Sequence, residues 1–276
     1  MKKCKLVAEI GINHNGDIEL AKQLIDVASL GKCDYVKFQK RDLDLVYTKE
    51  ELDKPRESPW GSTNRQQKEG LELGWREYND IDYRCKTKGM SWFASPWDVN
   101  SVDFLKGFDS PFIKVAGASM TNYELLEKIK GTGKTVILST GMTSKEELDK
   151  VLDIFGDQVE YILSCTSTYP TKSEDMNMCR LSTLKKLYGS KYRIGFSNHS
   201  SSINFCTMAY VLGAEMIEYH ITLDRASYGS DQAASIETAG ALKIGNILSH
   251  YEKSWGDGDI KCLPCEETAK SNLRKS

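Results

Sequence analysis

The sequence predicts an α/β fold, a (β/α)₈ TIM barrel in a single domain. Eight short β-rich runs occur along the 276 residues, and each is followed by a helical pattern. A doubly wound sheet also alternates strands and helices, but no glycine-rich phosphate fingerprint follows a strand. The turn GINHNGD has two glycines at the wrong spacing for a dinucleotide site. We therefore expect a barrel over residues 1–256, with no internal linker, and a polar tail over residues 257–276.

The elements follow in regular order. Helix starts are predicted from Asp17, Asp98, Thr121 or Asn122, and Ser144 as N-caps, and Glu147 completes a capping box with Ser144. The expected helices are 17–32, 67–89, 98–106, 122–130, 144–155, 181–187, 202–212 and 236–251. The expected strands are 5–13, 35–40, 91–96, 112–117, 135–141, 160–167, 192–200 and 215–222.

One long excursion, Arg41–Gln66, interrupts this regular order after the second strand. It is rich in charge, Pro, Ser and Gly, and a loop of this length in a compact domain is either functional or mobile. We expect it to cover the active site.

Composition excludes several classes of function. The net charge of −2 gives no reason to expect nucleic-acid binding, and no run of about 20 apolar residues could span a membrane. The N-terminus contains Glu9 within a short apolar run, so it predicts a strand rather than a signal peptide. Eight scattered cysteines indicate reduced thiols in a cytoplasmic protein. Cys262 and Cys265 form a lone CxxC, which would suit a zinc half-site or a redox pair, but no second pair follows it.

Polar residues gather at the strand ends, where a barrel of this type carries its site. Glu218 and His220 lie two residues apart in the otherwise apolar MIEYHITLD and so share one face, as do Lys37 and Gln39. Buried charge on a strand is costly unless it is paired or bound, so these faces are expected to line the barrel mouth. Two inward lysines, Lys37 and Lys114, with a ring of hydroxyls predict a cage for phosphate or carboxylate.

His199 and His220 occur late in neighbouring strands. Adjacent strands lie about 5 Å apart, so the two imidazoles could ligate one ion, completed by water, a carboxylate or a substrate oxygen. The alternative is a pair of hydrogen-bonded core histidines, and spacing alone does not separate the two.

The motifs at the strand ends resemble one family along almost all of residues 5–240. They are EIGINHNGD (9–17), DYVKFQK (34–40), SPWD (95–98), KVAG with the following TN (114–122), GKTVILSTGM (133–142), CTSTYPT (165–171), GFSNHS (195–200) and IEYHITLDR (217–225). In this respect the chain is similar to the sialic acid synthases, which comprise the N-acetylneuraminate and related nonulosonate synthases.

The resemblance implies a metal-dependent enzyme, typically using Mn²⁺. It would condense phosphoenolpyruvate with an amino-sugar aldose, N-acetylmannosamine or a diacetamido deoxyhexose, to a nonulosonic acid and phosphate. His199 and His220 would bind the metal. The catalytic residues would be Glu9 and His220, with Glu9 acting on the water that adds during the reaction. The expected sugar contacts are Gln39, Tyr169 and Asp231. The expected phosphoenolpyruvate cradle is Lys37, Ser95, Lys114, Ser139 and Ser197, with Ser167 close by.

Two departures from the family pattern bear on the substrate. Members usually carry a C-terminal antifreeze-like domain, and an arginine of that domain reaches the sugar site of the partner subunit. Here we expect a separate chain, Arg41 or Arg225 to supply that sugar contact. A homo-oligomer is the alternative to an assembly with a separate chain. Gly117 stands where a phosphoenolpyruvate-binding serine is expected, and Ser119 where N-acetylneuraminate producers have a sugar-binding carboxylate. A different sugar, leading to a legionaminic- or pseudaminic-type acid, or reduced activity would follow.

Two other functions stay open at this point. One is a non-catalytic barrel that binds sugar or phosphate, against which the intact polar set argues. The other is a metal-independent aldolase or lyase that uses Lys37 or Lys114 as a Schiff base.

Overall fold

The computed structural model describes residues 4–274, and eight parallel strands form a closed barrel within them. The barrel closes because the first strand pairs with both the second and the eighth. The predicted (β/α)₈ barrel is therefore confirmed. The strands are Lys5–Gly11, Tyr35–Lys40, Ser91–Pro96, Ile113–Val115, Val136–Ser139, Val159–Ser164, Arg193–Asn198 and Met216–Thr222.

A helix follows each strand, and the predicted N-caps are confirmed. The Asp17, Asp98 and Asn122 side chains accept backbone N–H groups of the first turn, and Ser144 and Glu147 form a reciprocal capping box. The helices that surround the barrel are Ile18–Leu30, Trp75–Thr87, Val99–Lys106, Tyr123–Lys130, Lys145–Phe155, Cys179–Tyr188, Asn204–Val211 and Thr238–Ser254.

Several sequence-based boundaries are wrong. Five predicted strands extend two or three residues too far, since the observed strands end at Gly11, Val115, Ser139, Ser164 and Asn198. Two helix boundaries differ for an identifiable reason. The single helix predicted over 67–89 is two helices, Asn64–Leu71 and Trp75–Thr87. The chain is extended at Glu72, whose carboxylate accepts a hydrogen bond from Lys40 Nζ at 2.8 Å, and Leu73 is buried in the core. At the other boundary, a short strand at Ile236–Glu237 pairs with the end of the eighth strand, so the last barrel helix begins two residues later than predicted.

The excursion after the second strand is ordered rather than irregular. It contains two short helices, Leu43–Val46 and Lys49–Asp53, and an antiparallel hairpin of Pro55–Ser58 with Gly61–Thr63. Trp60, at the hairpin turn, packs its ring 5.6 Å from that of Tyr228, in the loop after the eighth strand. The excursion is thus fixed against one side of the barrel mouth.

The barrel interior has an apolar floor beneath a polar layer. Because side chains alternate along a strand, Val7 lies below Glu9 and Met216 lies below Glu218 on the inner face. The floor comprises Val7, Phe93, Phe112, Ile137, Tyr161, Leu163 and Met216, and a larger apolar core separates the barrel from its helices.

The last part of the described chain is exposed and includes a short helix, Glu267–Leu273. All eight cysteines are free; Cys262 and Cys265 are exposed, whereas burial raises the pKa of the Cys33 and Cys206 thiols to about 12. Within residues 4–274, no helix is long and apolar enough to cross a membrane.

Candidate active site

A cavity of about 170 Å³ opens at the carboxyl ends of the barrel strands, and we call it the reaction cavity. Two of the predicted side chains lie outside its lining: Ser197, which is buried behind Glu218, and Asp231, at its edge. The others line it together: Glu9, Lys37, Gln39, Ser95, Lys114, Ser139, Ser167, Tyr169, His199 and His220.

Strand register explains why these residues meet. Glu9 on the first strand lies opposite His220 on the eighth and Lys37 on the second. The Gln39 amide then donates to Glu9 Oε1 at 2.9 Å. A carboxylate, an ammonium and an imidazole are therefore held side by side on three adjacent strands.

Two buried ion pairs form the polar layer. Lys37 Nζ lies 2.8 Å from Glu9 Oε2, and Lys114 Nζ lies 2.8 and 2.9 Å from the two oxygens of Glu218. Ser197 donates to Glu218 at 2.9 Å, and each of the four charged side chains is at most 6% exposed. The sequence predicted a pair of lysines facing an anion, but each lysine already has a carboxylate partner. The four side chains Glu9, Lys37, Lys114 and Glu218, which we call the quartet, therefore carry no net charge when all four are ionised.

Two groups of this quartet, Glu218 and Lys37, are held in their charged forms. Burial on its own would raise the pKa of Glu218, but Lys114 and Lys37 outweigh it and hold that pKa well below its ordinary value. Burial would likewise lower the pKa of Lys37, and Glu218 and Glu9 outweigh it and raise that pKa. A protonated lysine of this kind is a fixed charge rather than an amine nucleophile.

The two histidines face each other with ring centroids 5.4 Å apart. His199 Nδ1 donates to the Thr166 carbonyl at 2.6 Å, which leaves Nε2 as an acceptor, here 3.2 Å from the Tyr169 hydroxyl. Burial, with a further contribution from His220, lowers the pKa of His199 to about 3, so the ring is neutral. His220 Nδ1 is buried without a hydrogen-bond partner, 3.7 Å from Asp231 Oδ2.

This arrangement fits two ligands of a divalent metal site. A metal-binding imidazole is neutral, and its second nitrogen is commonly held by a carbonyl, as Thr166 holds His199. Among the described residues, no group of three or more His, Cys, Asp or Glu side chains is placed to hold a metal. A metal here would need water or substrate oxygens for its remaining positions.

Sequence reasoning left some cavity residues without a role. The two-residue period places Glu218 on the inner face with His220, and this shared face is the sequence feature that points to its pairing with Lys114. Trp97, in the SPWD motif, lines the cavity with a buried indole N–H that has no hydrogen-bond partner. The cavity wall after Lys114 is formed by Ala116, Gly117 and Ala118, and Ser119 is not part of it.

A second cavity of about 250 Å³ adjoins the first, and we call it the outer chamber. Gln39, Trp97 and Tyr169 line both. Arg41 reaches this chamber, whereas Arg225, the other arginine considered, is half-exposed and paired with Glu237. The chamber's remaining lining residues are Ile12, Tyr47, Lys68, Leu71, Glu72, Ser230 and Asp231.

Comparison with known proteins gives a consistent result. The sequence pattern of the NeuB family matches residues 24–260. Human N-acetylneuraminate-9-phosphate synthase is 34% identical over 99% of this chain and 77% of its own length. The N,N'-diacetyllegionaminic acid synthase of Campylobacter jejuni is 31% identical over the whole chain and 84% of its own length.

A solved structure is similar over the same span. The N-acetylneuraminic acid synthetase of Leptospira borgpetersenii, in complex with citrate, is 30% identical, with a TM-score of 0.80. The similarity covers 100% of this chain and 94% of that one.

Proposed function

The chain belongs to the NeuB family, and we propose that it is a nonulosonic acid synthase. In this reaction phosphoenolpyruvate condenses with the open-chain aldehyde of an N-acylated amino sugar, and the products are a nine-carbon 2-keto acid and phosphate. The observation that carries the proposal is the reaction cavity itself, where two charged pairs and two imidazoles face one space.

The quartet supplies the binding site for phosphoenolpyruvate. The phosphate and the carboxylate of phosphoenolpyruvate would accept hydrogen bonds from Lys37 and Lys114 and from the hydroxyls of Ser95 and Ser139. All four of these residues line the cavity. The Ser95 hydroxyl is buried without a partner, as expected for a group that waits for a ligand. Cations fixed here would also stabilise the charge on the departing phosphate.

Glu9 is suited to act as the general base. The C3 carbon of phosphoenolpyruvate bonds to the aldehyde carbon, and the aldehyde oxygen gains a proton. Water then adds at C2 to give a tetrahedral intermediate, and a carboxylate at this position can take the first proton that the water loses. The intermediate collapses to the C2 ketone as the C–O bond to phosphate breaks, and the departing phosphate takes the remaining proton. Gln39 and Lys37 fix the two oxygens of Glu9, at 2.9 and 2.8 Å.

His199 and His220 would hold the divalent metal that we propose, Mn²⁺. When bound, such an ion supplies a Lewis acid for the aldehyde oxygen. Tyr169, whose ring stacks on His199 at 4.3 Å, and Asp231, next to His220, are proposed to contact the sugar.

The relatives' names leave the sugar open. The human relative is named for a product with a 9-phosphate, and the Campylobacter relative for a product named without one. A Schiff-base aldolase has less support, because Lys37 and Lys114 are ion-paired.

Phosphate release tests the proposal. The purified chain is incubated with phosphoenolpyruvate, Mn²⁺ and a panel of N-acetylated and diacetamido sugars, with and without chelator. Release that depends on the sugar and is abolished by chelator is expected. A Glu9→Gln variant should lose release while it still binds phosphoenolpyruvate, measured by calorimetry. Sugar-independent or chelator-insensitive release would contradict the proposal.

A further inference from the structure

The outer chamber has features that the proposed chemistry does not use. Two cationic side chains, Arg41 and Lys68, line it, and the aldehyde condensation requires neither. The reacting groups lie in the reaction cavity, beyond the shared residues Gln39, Trp97 and Tyr169.

Arg41 is only partly satisfied. Its Nη1 lies 3.7 Å from Glu72 Oε1, but the other oxygen of that carboxylate is already bonded to Lys40 Nζ at 2.8 Å. Its Nη2 donates to Gln39 Oε1, and its Nε is buried without a hydrogen-bond partner. The guanidinium stacks on the Trp97 ring at 4.5 Å, which fixes its plane in a side chain only 11% exposed.

Lys68 has no carboxylate within ion-pairing distance among residues 4–274, and its Nζ lies 5.0 Å from the centroid of the Tyr47 ring. Burial lowers the pKa of Lys68, and the neighbouring Arg41 and Arg56 lower it further, which indicates unbalanced positive charge around it. Asp231 and Glu72 oppose this effect without reversing it.

Unpaired donors beside a cavity favour an acceptor-rich anion. Arg41 Nε and the Trp97 indole N–H are both buried donors without partners, and both residues line this chamber. A planar guanidinium next to an ammonium matches the oxygens of a phosphate group.

The chamber also has a defined relation to the reaction. Asp231 lines it and lies 3.7 Å from His220, and Gln39 connects Arg41 to Glu9 through its amide. A hexosamine with its aldehyde at the histidines would therefore extend past Gln39 and Asp231 into the chamber, with its C6 end foremost.

We propose that the outer chamber binds a terminal phosphate on the acceptor sugar, so that the preferred substrate is an N-acylated hexosamine 6-phosphate. Arg41 and Lys68 are the specificity-determining residues. This inference rests on the proposed function. Because phosphoenolpyruvate contributes three carbons, C6 of the hexosamine becomes C9, and the product would be a nonulosonic acid 9-phosphate.

The test compares N-acetylmannosamine with its 6-phosphate. Initial rates of phosphate release from phosphoenolpyruvate, corrected for background, give kcat/KM for each sugar. The phosphorylated sugar should be favoured, and Lys68→Met should reduce that preference by about tenfold to a hundredfold, the range for a lost hydrogen bond between charged groups. Lys49→Met is the matched control, since Lys49 is an exposed lysine of the adjoining excursion, Arg41–Gln66, and does not line the chamber. Equal use of the two sugars, or an equal loss for both in Lys68→Met, would overturn the inference.

Binding measurements separate this inference from the proposed function. If neither of these two sugars supports turnover, the sugar panel described above decides the synthase proposal, and calorimetric titration with N-acetylmannosamine 6-phosphate still tests the chamber. Binding that is weaker in Lys68→Met and unchanged in Lys49→Met would support a phosphate site. Binding unaffected by Lys68→Met, or inorganic phosphate that binds as tightly as the phosphorylated sugar, would refute a site for a sugar-borne phosphate.

Discussion

Replacing Glu218 with Gln should destabilise the protein strongly, because it removes one charge from a buried pair. Lys114 and Glu218 are 4% and 2% exposed, so the freed ammonium would be left largely out of contact with water. Breaking a buried pair by removing one partner costs about 3–5 kcal/mol. In a protein of this size each kcal/mol lowers Tm by roughly 2–4 °C, so we expect a decrease of roughly 6–20 °C.

Urea unfolding of the metal-free protein measures the loss of free energy, and thermal unfolding measures Tm, both followed by circular dichroism. Glu160→Gln is the control, because Glu160 pairs with Arg193 at 3.1 Å on neighbouring barrel strands but both side chains are at least 36% exposed. That variant should lose no more than about 1 kcal/mol.

The double variant Glu218→Gln with Lys114→Met should regain much of the lost stability, because the unpaired charge is removed as well. A Glu218→Gln loss as small as that of Glu160→Gln, or strictly additive losses in the double variant, would refute the reasoning.

Three further predictions concern the metal, the cavity wall and a helix cap. His220→Ala should lose retained Mn²⁺ on dialysis, measured by elemental analysis, whereas His250→Ala, on an exposed helix position, should retain it; equal metal content would contradict the ligand assignment. Gly117→Ser should destabilise by about 1–3 kcal/mol in urea, because a Cβ there would meet the Gly141 carbonyl oxygen at 2.4 Å; an unchanged midpoint would show that this wall can shift. Ser144→Ala should cost about 1 kcal/mol in the same assay through loss of the capping box, and no change would mean that the helix end is held by other contacts.

The barrel could be predicted because its signals are local. Each strand shows its apolar run, and caps such as Asp17 and Ser144 lie directly before their helices. The break at Glu72 could not be predicted in this way, because it depends on Lys40, 32 residues earlier, which bonds the Glu72 carboxylate. The order within the excursion likewise depends on distant contacts such as that of Trp60 with Tyr228.

The sequence predicts which residues line the site better than it predicts which of them pair with one another. Strand ends identified Lys37, Lys114, His199 and His220 as inward-facing, since the two-residue period determines the face. Which carboxylate neutralises which lysine depends on strand register, and Lys114 and Glu218 are 104 residues apart in sequence. The outer chamber was missed for the same reason, because Arg41, Lys68 and Asp231 come from three separate segments.

The pairing of the first strand with the eighth has a consequence for how the protein matures. Glu9 and His220 are neighbours only across this seam, so the reacting groups come together when the two ends of the barrel meet. Closing so long a loop is the slow part of assembling a fold rich in distant contacts. During synthesis the first seven strands can already be present while the chain still lacks half of its candidate metal ligands and the carboxylate partner of Lys114. Competence for chemistry should therefore appear abruptly and late in folding, and unfolding that begins at the seam should abolish it before most of the helices are lost.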